Sequence, residues 1–223
     1  MLRKLDGPRL PAQAGETRKL VILLHGYGAD GNDLIGLAPH LQRVLPDAAF
    51  VAPNAPEPCA GAPMGYQWFG ISQFDPGERE RGADAAAGGL DAFIDEELAR
   101  YRLDERSLVL VGFSQGTMMA LHVGLRRAVS PAAIVGFSGM LVAGERLAQE
   151  IAVRPPVLLV HGDQDQVLPV EAIFEASQGL AAAGVCARWH ISQGVGHGIA
   201  PDGLDLCASF LRAVFAGQFA QLA

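Results

Sequence analysis

The stretch SLVLVGFSQGTMMALHVGLRR, Ser107–Arg127, decides the fold class of this chain. Its first half is a continuous apolar run, typical of a buried strand, and its second half has the apolar spacing of a helix. Gly112, Ser114 and Gly116 stand where the strand becomes the helix. A reversal within about two residues crowds the backbone, and flanking glycines remove the side chains that would collide. The pattern predicts a serine held at the tip of a strained turn, above the N-terminus of the following helix.

The same strand-then-helix order extends along the chain. The apolar runs KLVILLHG, AAFVAP, SLVLVGF, AAIVGFSG, PPVLLVHG and CARWHISQ predict strands, and helical segments lie between most of them. This alternation indicates an α/β protein with a doubly wound, mostly parallel sheet and helices on both faces. The segment LDGPRLPAQ is expected to add an edge strand. Because no linker, repeat or break in composition is visible, we predict a single domain over residues 1–223.

Composition and charge argue for a globular protein and against some classes of partner. The 223 residues are 50% hydrophobic and 18% charged, and the formal net charge is −7. The chain has no basic stripe, which argues against nucleic acid as a partner and against stable anchoring to anionic membranes. The N-terminal segment lacks the apolar core of a signal peptide, so we expect a cytoplasmic protein. Of the three cysteines, Cys59 is expected to be the exposed one.

The glycine-flanked serine matches the G-x-S-x-G nucleophile elbow, which predicts nucleophilic catalysis by Ser114. A serine hydroxyl needs a base to take its proton, and histidine is best suited near neutral pH. Of the six histidines, His197 alone lies in a glycine-rich loop, SQGVGHGIAPDG, between the last strand and the last helix. We therefore predict His197 as the base. The other five lie within helices, within a strand or at strand ends.

The base needs a carboxylate, and a negatively charged intermediate needs hydrogen-bond donors. The segment VLLVHGDQDQVLPVEA offers Asp163 and Asp165 at the end of a buried strand, and local physics does not choose between them. Asp163 also suits a purely structural role, binding the backbone amides of a turn. For the intermediate we predict the backbone N–H groups of Gln115, after the nucleophile, and of Tyr27, in the loop LLHGYGADGNDL.

Four motifs, LLHGYGADGNDL, GFSQGTMMAL, HGDQDQVLP and GVGHGI, resemble in order and spacing the phospholipase/carboxylesterase family of small α/β-hydrolases, which includes the acyl-protein thioesterases. The similarity runs from about Lys19 to Leu211. It implies the α/β-hydrolase fold without a large cap domain. It also implies a nucleophile, an acid, a base and two amide donors, namely Ser114, Asp165, His197, Tyr27 and Gln115.

The chain also departs from the thioesterase pattern. Thr117 stands where many thioesterases have a second glycine, and Gly70 stands where they usually have an aspartate. These differences favour small-molecule esters over acylated proteins. Apolar side chains beside the site are expected to hold the acyl or alcohol group. The predicted pocket residues are Met64, Trp68, Phe69, Ile71 and Leu168.

Together these observations predict a serine carboxylesterase that hydrolyses small to medium acyl esters through an acyl-enzyme, with no metal or organic cofactor. The expected partner is a small-molecule ester, and a homodimer is left open. One alternative is a lysophospholipase or acyl-protein thioesterase that acts on longer acyl chains. An alternative from another class is a non-catalytic binding protein with a hydrolase fold.

Overall fold

The computed structural model describes residues 4–59, 61–71 and 75–219, and a seven-stranded sheet forms its centre. Its strands are β1 (Arg9–Leu10), β2 (Lys19–Leu24), β3 (Ala48–Val51), β6 (Leu108–Phe113), β7 (Ala133–Phe137), β8 (Val157–Gly162) and β9 (Ala187–Ser192). Two further strands, β4 (Glu57–Pro58) and β5 (Tyr66–Gln67), form a small separate sheet. The single-domain prediction also covers residues 1–3, 60, 72–74 and 220–223, which lie outside the described residues.

The strand order in the large sheet is β1-β3-β2-β6-β7-β8-β9. Only the edge strand β1 runs antiparallel to its neighbour, so the mostly parallel sheet is confirmed. The predicted edge strand in LDGPRLPAQ is also confirmed, as β1. The inner parallel strands are covered on both faces, which explains why β6, β7 and β8 are continuous apolar runs, whereas the edge strand β9 is partly exposed.

In the described ranges, seven α-helices cover the two faces of the sheet. They are α1 (Gly31–Ile35), α2 (Ala38–Leu41), α3 (Pro76–Tyr101), α4 (Gln115–Gly124), α5 (Gly144–Glu150), α6 (Glu171–Ala182) and α7 (Pro201–Phe215). Alternate residues of β2 divide between two cores: Leu20, Ile22 and Leu24 pack with α3–α6, whereas Val21 and Leu23 pack with α1, α2 and α7. No helix in the described part of the chain has the length and apolarity needed to cross a membrane.

The structure differs from the sequence-based expectation in four places. The helical segment NDLIGLAPHLQRVLP is divided into α1 and α2, because Pro39 has no N–H to continue the first helix. The helix α5 and the β4–β5 pair were not predicted, because both are short and lack a clear period. Cys59 is buried, and the exposed cysteine is Cys186, so that expectation is wrong.

Candidate active site

Ser114 lies at the junction of β6 and α4, in the conformation that its glycine neighbours predict. Its backbone angles are φ 53° and ψ −115°, which is rare for a residue with a side chain. A Cβ on Gly116 would lie 1.9 Å from the carbonyl oxygen of Leu24, and a Cβ on Gly112 would lie 2.4 Å from the backbone of Gly116. The N–H of Ser114 donates to the carbonyl of Phe137 at 2.8 Å, which fastens the turn to the next strand. The elbow is therefore too closely packed for any residue but glycine on either side.

The two amides predicted to stabilise a negative charge lie at the carboxyl edge of the sheet, that of Tyr27 in the loop after β2 and that of Gln115 at the start of α4. Within the described part of the chain, no backbone acceptor receives a hydrogen bond from the N–H of Tyr27 or of Gln115. The N–H of Gln115 is at the first position of α4, where the helix dipole favours negative charge. Next to Tyr27, the N–H of Gly28 donates to Tyr66 at 2.9 Å, so the loop is held against β5. Both amides are held in place and available to a ligand.

His197 and Asp165 form a hydrogen-bonded pair beside the elbow. Nδ1 of His197 lies 2.7 Å from Oδ2 of Asp165. The imidazole ring packs on the ring of Phe113, the residue before Ser114, with the ring centroids 4.9 Å apart. Because both oxygens of a carboxylate accept, Nδ1 carries the proton and Nε2 is left with a lone pair. This is the tautomer that a general base requires.

Asp165 is held as a carboxylate by several donors. Its Oδ1 accepts from the N–H groups of Val167 and Leu168, each at 2.9 Å. Burial by itself would raise the pKa of Asp165, but the hydrogen bonds from His197, Leu168 and Val167 outweigh it and hold the pKa below its usual value. The group therefore stays ionised at neutral pH, and it can stabilise a positive charge on His197.

Asp163 and Asp165, between which the local sequence did not choose, have different hydrogen-bond partners in the structure. Oδ1 of Asp163 accepts from the N–H of Gly194 at 2.6 Å and from that of Val195 at 3.3 Å, and Asp165 alone contacts His197. The amides that Asp163 binds belong to the loop carrying His197, not to the turn of Asp163 itself. Asp163 therefore joins the acid loop to the base loop.

Two buried histidines have structural positions that the sequence analysis did not assign. Nε2 of His161 lies 2.9 Å from the carbonyl of Leu168 and 3.3 Å from Oδ2 of Asp165. Nε2 of His25 accepts from the N–H of Ala55 at 2.9 Å, so Nδ1 carries the proton, and burial lowers the pKa of His25. The signal for both was the His-Gly pair at a strand end, which places an imidazole beside a loop at the carboxyl edge.

The other three histidines pair with carboxylates outside the site. His40 lies 2.9 Å from Asp205, and His190 lies 2.8 Å from Asp202. His122 lies 3.1 Å from an oxygen of Asp84. Within the described residues, His197 is the histidine whose ring packs beside the elbow.

Trp68 and Phe69, predicted to line a pocket, lie in the core. Trp68 is 1% exposed, and its indole N–H donates to the carbonyl of His25 at 3.0 Å. The side-chain amide of Gln115 binds the same segment: Oε1 accepts from the N–H of Trp68 at 2.9 Å, and Nε2 donates to the carbonyl of Phe69 at 2.8 Å. Trp68 therefore connects the loop of Tyr27 with the first residue of α4. These contacts join the two segments that carry the amide donors.

The remaining predicted pocket residues are dispersed. Met64 is 90% exposed, whereas Ile71 and Leu168 are partly buried against the core. None of the five lines any of the three cavities described in the next paragraph. A role for these side chains in substrate binding stays a prediction.

The cavities lie on both faces of the sheet. One, of about 250 Å³, is beside His197 and is lined by Asp33, Leu34, Leu37, Phe113, Gly198 and Ile199. A larger groove, of about 640 Å³, runs along α5 and α6 and includes Met140. Met140 also lines a narrow space of about 10 Å³ that reaches Thr117 and His161. Of these spaces, the cavity of about 250 Å³ is the one whose lining includes the residues next to Ser114 and His197.

Comparison with known proteins agrees with this architecture. The profile of the phospholipase/carboxylesterase family matches residues 6–215. Acyl-protein thioesterase 1 of Saccharomyces cerevisiae is 29% identical over 93% of this chain and 98% of its own length. Esterase YpfH of Escherichia coli is 26% identical over 93% of this chain and 86% of its own length. The crystal structure of esterase PE8 has a TM-score of 0.91 and 50% identity, with 95% of this chain and 99% of that chain covered.

The sheet, its two helical layers and the glycine-flanked elbow define an α/β-hydrolase with no large cap domain. The chain belongs to the phospholipase/carboxylesterase family and is a carboxylic-ester hydrolase. It is therefore an enzyme rather than a non-catalytic binding protein of the same fold.

Proposed function

We propose that this enzyme is a serine carboxylesterase that hydrolyses esters of small to medium acyl groups, with Ser114 as nucleophile, His197 as base and Asp165 as acid partner. The observation that carries the proposal is the 2.7 Å hydrogen bond between Asp165 and an imidazole that packs on Phe113, next to Ser114. A correctly oriented imidazole beside a strained serine is the arrangement that activates a hydroxyl.

The reaction follows from these positions. His197 accepts the proton of Ser114 as its Oγ attacks the ester carbonyl, and the N–H groups of Tyr27 and Gln115 bind the resulting oxyanion. His197 then gives the proton to the leaving alcohol, which leaves an acyl-serine. Water attacks the acyl-serine with His197 again as base, and Ser114 is released with the acid product. Asp165 stays ionised throughout and stabilises the imidazolium.

Replacement of Ser114 tests the proposal. We expect Ser114→Ala to lower kcat/KM for p-nitrophenyl butyrate by about three orders of magnitude or more, with an unchanged circular dichroism spectrum and Tm. Ser177→Ala, on α6, is the matched control and should retain wild-type activity. Turnover near the wild-type rate in Ser114→Ala would exclude Ser114 as the nucleophile.

A second candidate function is the hydrolysis of esters or thioesters of longer acyl chains, as in a lysophospholipase or acyl-protein thioesterase. Similarity to acyl-protein thioesterase 1 of Saccharomyces cerevisiae over 93% of this chain supports it. A series of p-nitrophenyl esters from acetate to palmitate separates the two. A maximum of kcat/KM at or below octanoate supports the carboxylesterase, and a maximum at longer chains supports the alternative.

A cytoplasmic location and a small-molecule ester as partner belong to the same proposal. Three free cysteines, Cys59, Cys186 and Cys207, are typical of a reducing compartment.

A further inference from the structure

The mechanism above leaves one cavity beside the active site without a role. Its volume is about 250 Å³, and its walls come from α1, from the residue before α2, and from the segments that flank the elbow and the base. Leu34, Leu37 and Ile199 are apolar, and Asp33 is exposed. Taking roughly 30 Å³ for a water-sized group, the cavity has space for about eight such groups.

The position of the cavity relates it to the imidazole. Phe113 contributes to the cavity wall and packs on the ring of His197. Gly198 and Ile199, which directly follow His197, contribute the opposite segment of the lining. The apolar residues of the cavity belong to the core on the side of α1, α2 and α7. The groove along α5 and α6 lies on the other face of the sheet, so the two spaces are separate.

Ester chemistry distinguishes the two sides of the site. In the acylation step the imidazole gives its proton to the oxygen of the leaving alcohol, so the alcohol group has to lie next to His197. We propose that this cavity is the alcohol subsite, and that it binds short aliphatic or small aromatic alcohol groups. The inference rests on the proposed function, because only an enzyme in which His197 protonates a leaving group has such a subsite.

Asp33 adds a charge preference. Asp33 lines a cavity whose other five lining residues are uncharged. A negative charge at the subsite favours alcohols that carry a cation, such as a quaternary ammonium, over neutral alcohols of the same shape, and it disfavours anionic ones. The alcohol subsite should therefore prefer cationic alcohols to neutral ones, and neutral alcohols to anionic ones.

A reciprocal pair of variants tests the size preference. Leu37→Trp should lower kcat/KM for hexyl butyrate relative to methyl butyrate by about tenfold, and Leu37→Ala should shift the same ratio the other way. In both variants the ratios among methyl acetate, methyl butyrate and methyl hexanoate should stay within about twofold of the wild type. If the acyl ratios change instead, or if neither set changes, the cavity is not the alcohol subsite. The Tm of each variant identifies a folding defect.

A measurement on the wild-type enzyme does not depend on the folding of any variant. The acyl-enzyme formed from p-nitrophenyl butyrate can be attacked by an added alcohol as well as by water, and the alcohol then enters through the subsite that the leaving group uses. We expect 1-butanol to be acylated at least about fivefold more efficiently than methanol at equal concentration. Equal acylation of the two alcohols contradicts the proposal. If p-nitrophenyl butyrate is not hydrolysed, or if Ser114→Ala retains turnover, the proposed function itself fails.

The charge preference is tested with two acetates of equal shape, acetylcholine and 3,3-dimethylbutyl acetate. In Asp33→Asn the ratio of their kcat/KM values should fall about three- to tenfold towards the neutral ester. Glu16→Gln removes an equal charge near the amino end of β2 and should leave the ratio unchanged. An unchanged ratio in Asp33→Asn, or the same fall in Glu16→Gln, excludes Asp33 as the determinant.

Discussion

At the scale of single residues, two aspartates of one turn have separate contacts. Asp165 accepts from His197, and Asp163 accepts from the backbone of the loop that carries His197. One contact orients an imidazole and the other holds its loop, so the same chemical change at the two positions should have different effects.

Substitution by asparagine distinguishes these two contacts. Asp165→Asn should lower kcat by about two to four orders of magnitude, because an amide stabilises the imidazolium poorly and permits the wrong tautomer. In Asp163→Asn the side-chain oxygen still accepts from Gly194, so kcat should fall less than about tenfold. Steady-state kinetics on p-nitrophenyl butyrate measures both. An equal fall of kcat in the two variants would show that the two aspartates do not have these separate roles.

Trp68 is a third single residue with a specific contact: its indole N–H donates to the carbonyl of His25. We expect Trp68→Phe to lower kcat about three- to tenfold with little change in KM, because the lost N–H donor loosens the loop of Tyr27. The free energy of unfolding should fall by about 1–2 kcal/mol, since a buried carbonyl loses its partner. If KM rises while kcat is retained, Trp68 is a pocket residue, as the sequence alone suggested.

At the scale of elements, a buried arginine just beyond the helix that follows the elbow binds two carboxylates of the longest helix. The side chain of Arg127, just beyond α4, is 5% exposed and lies 2.5 Å from Asp91 and 2.6 Å from Asp95 on α3. Glu105, 3.3 Å away, is a third partner. The two aspartates are four residues apart, so they lie on the same face of α3.

Removal of this side chain should loosen α3 against α4. We expect Arg127→Met to lower the free energy of unfolding by about 2 kcal/mol, a moderate value because the carboxylates are partly exposed and can be hydrated. Urea unfolding measures the change. Arg146→Met is the control, because the side chain of Arg146 is 40% exposed and pairs with Asp84 at the surface, and its loss should be clearly smaller than that of Arg127. Similar losses in both variants would contradict the role of the buried guanidinium.

At the scale of the whole molecule, the stability depends on pH through buried groups. Burial and the nearby Arg126 lower the pKa of His122 to about 4, against the effect of Asp84. When the pH falls below 6.5, the ordinary pKa of histidine, His122 binds a proton in the unfolded chain but stays neutral in the folded state. The contribution of His122 is therefore complete above pH about 6.5 and is lost as the pH falls towards 4.

Urea unfolding at several pH values tests this sign. Between pH 7.5 and 4.5 the wild type should lose about 2–3 kcal/mol through His122, and His122→Gln, which cannot titrate, should lose correspondingly less. The lowered pKa of Asp165 acts at lower pH: its contribution is present above about pH 4 and is lost as the pH falls further. An equal loss from pH 7.5 to 4.5 in both proteins would show that His122 is not the group responsible.

The amino-acid sequence by itself determined the local architecture. Continuous apolar runs mark strands that are covered on both faces, and they indicated the five inner strands of the large sheet; its edge strands β1 and β9 lie in LDGPRLPAQ and CARWHISQ. The glycines around Ser114 indicated the elbow, because only the absence of a Cβ allows its packing. The order of the motifs indicated which loops reach the carboxyl edge of the sheet.

Only the tertiary structure decided which groups meet across those loops. Asp163 and Asp165 are equivalent in local pattern, and the packing of the loop before His197 on the turn after β8 separates their roles. Likewise the loop sequence around Trp68 predicted a pocket residue, whereas the indole N–H of Trp68 donates to the carbonyl of His25, 43 positions away in the chain. Pairings over such separations depend on how elements pack, and a periodic pattern within one element contains no information about them.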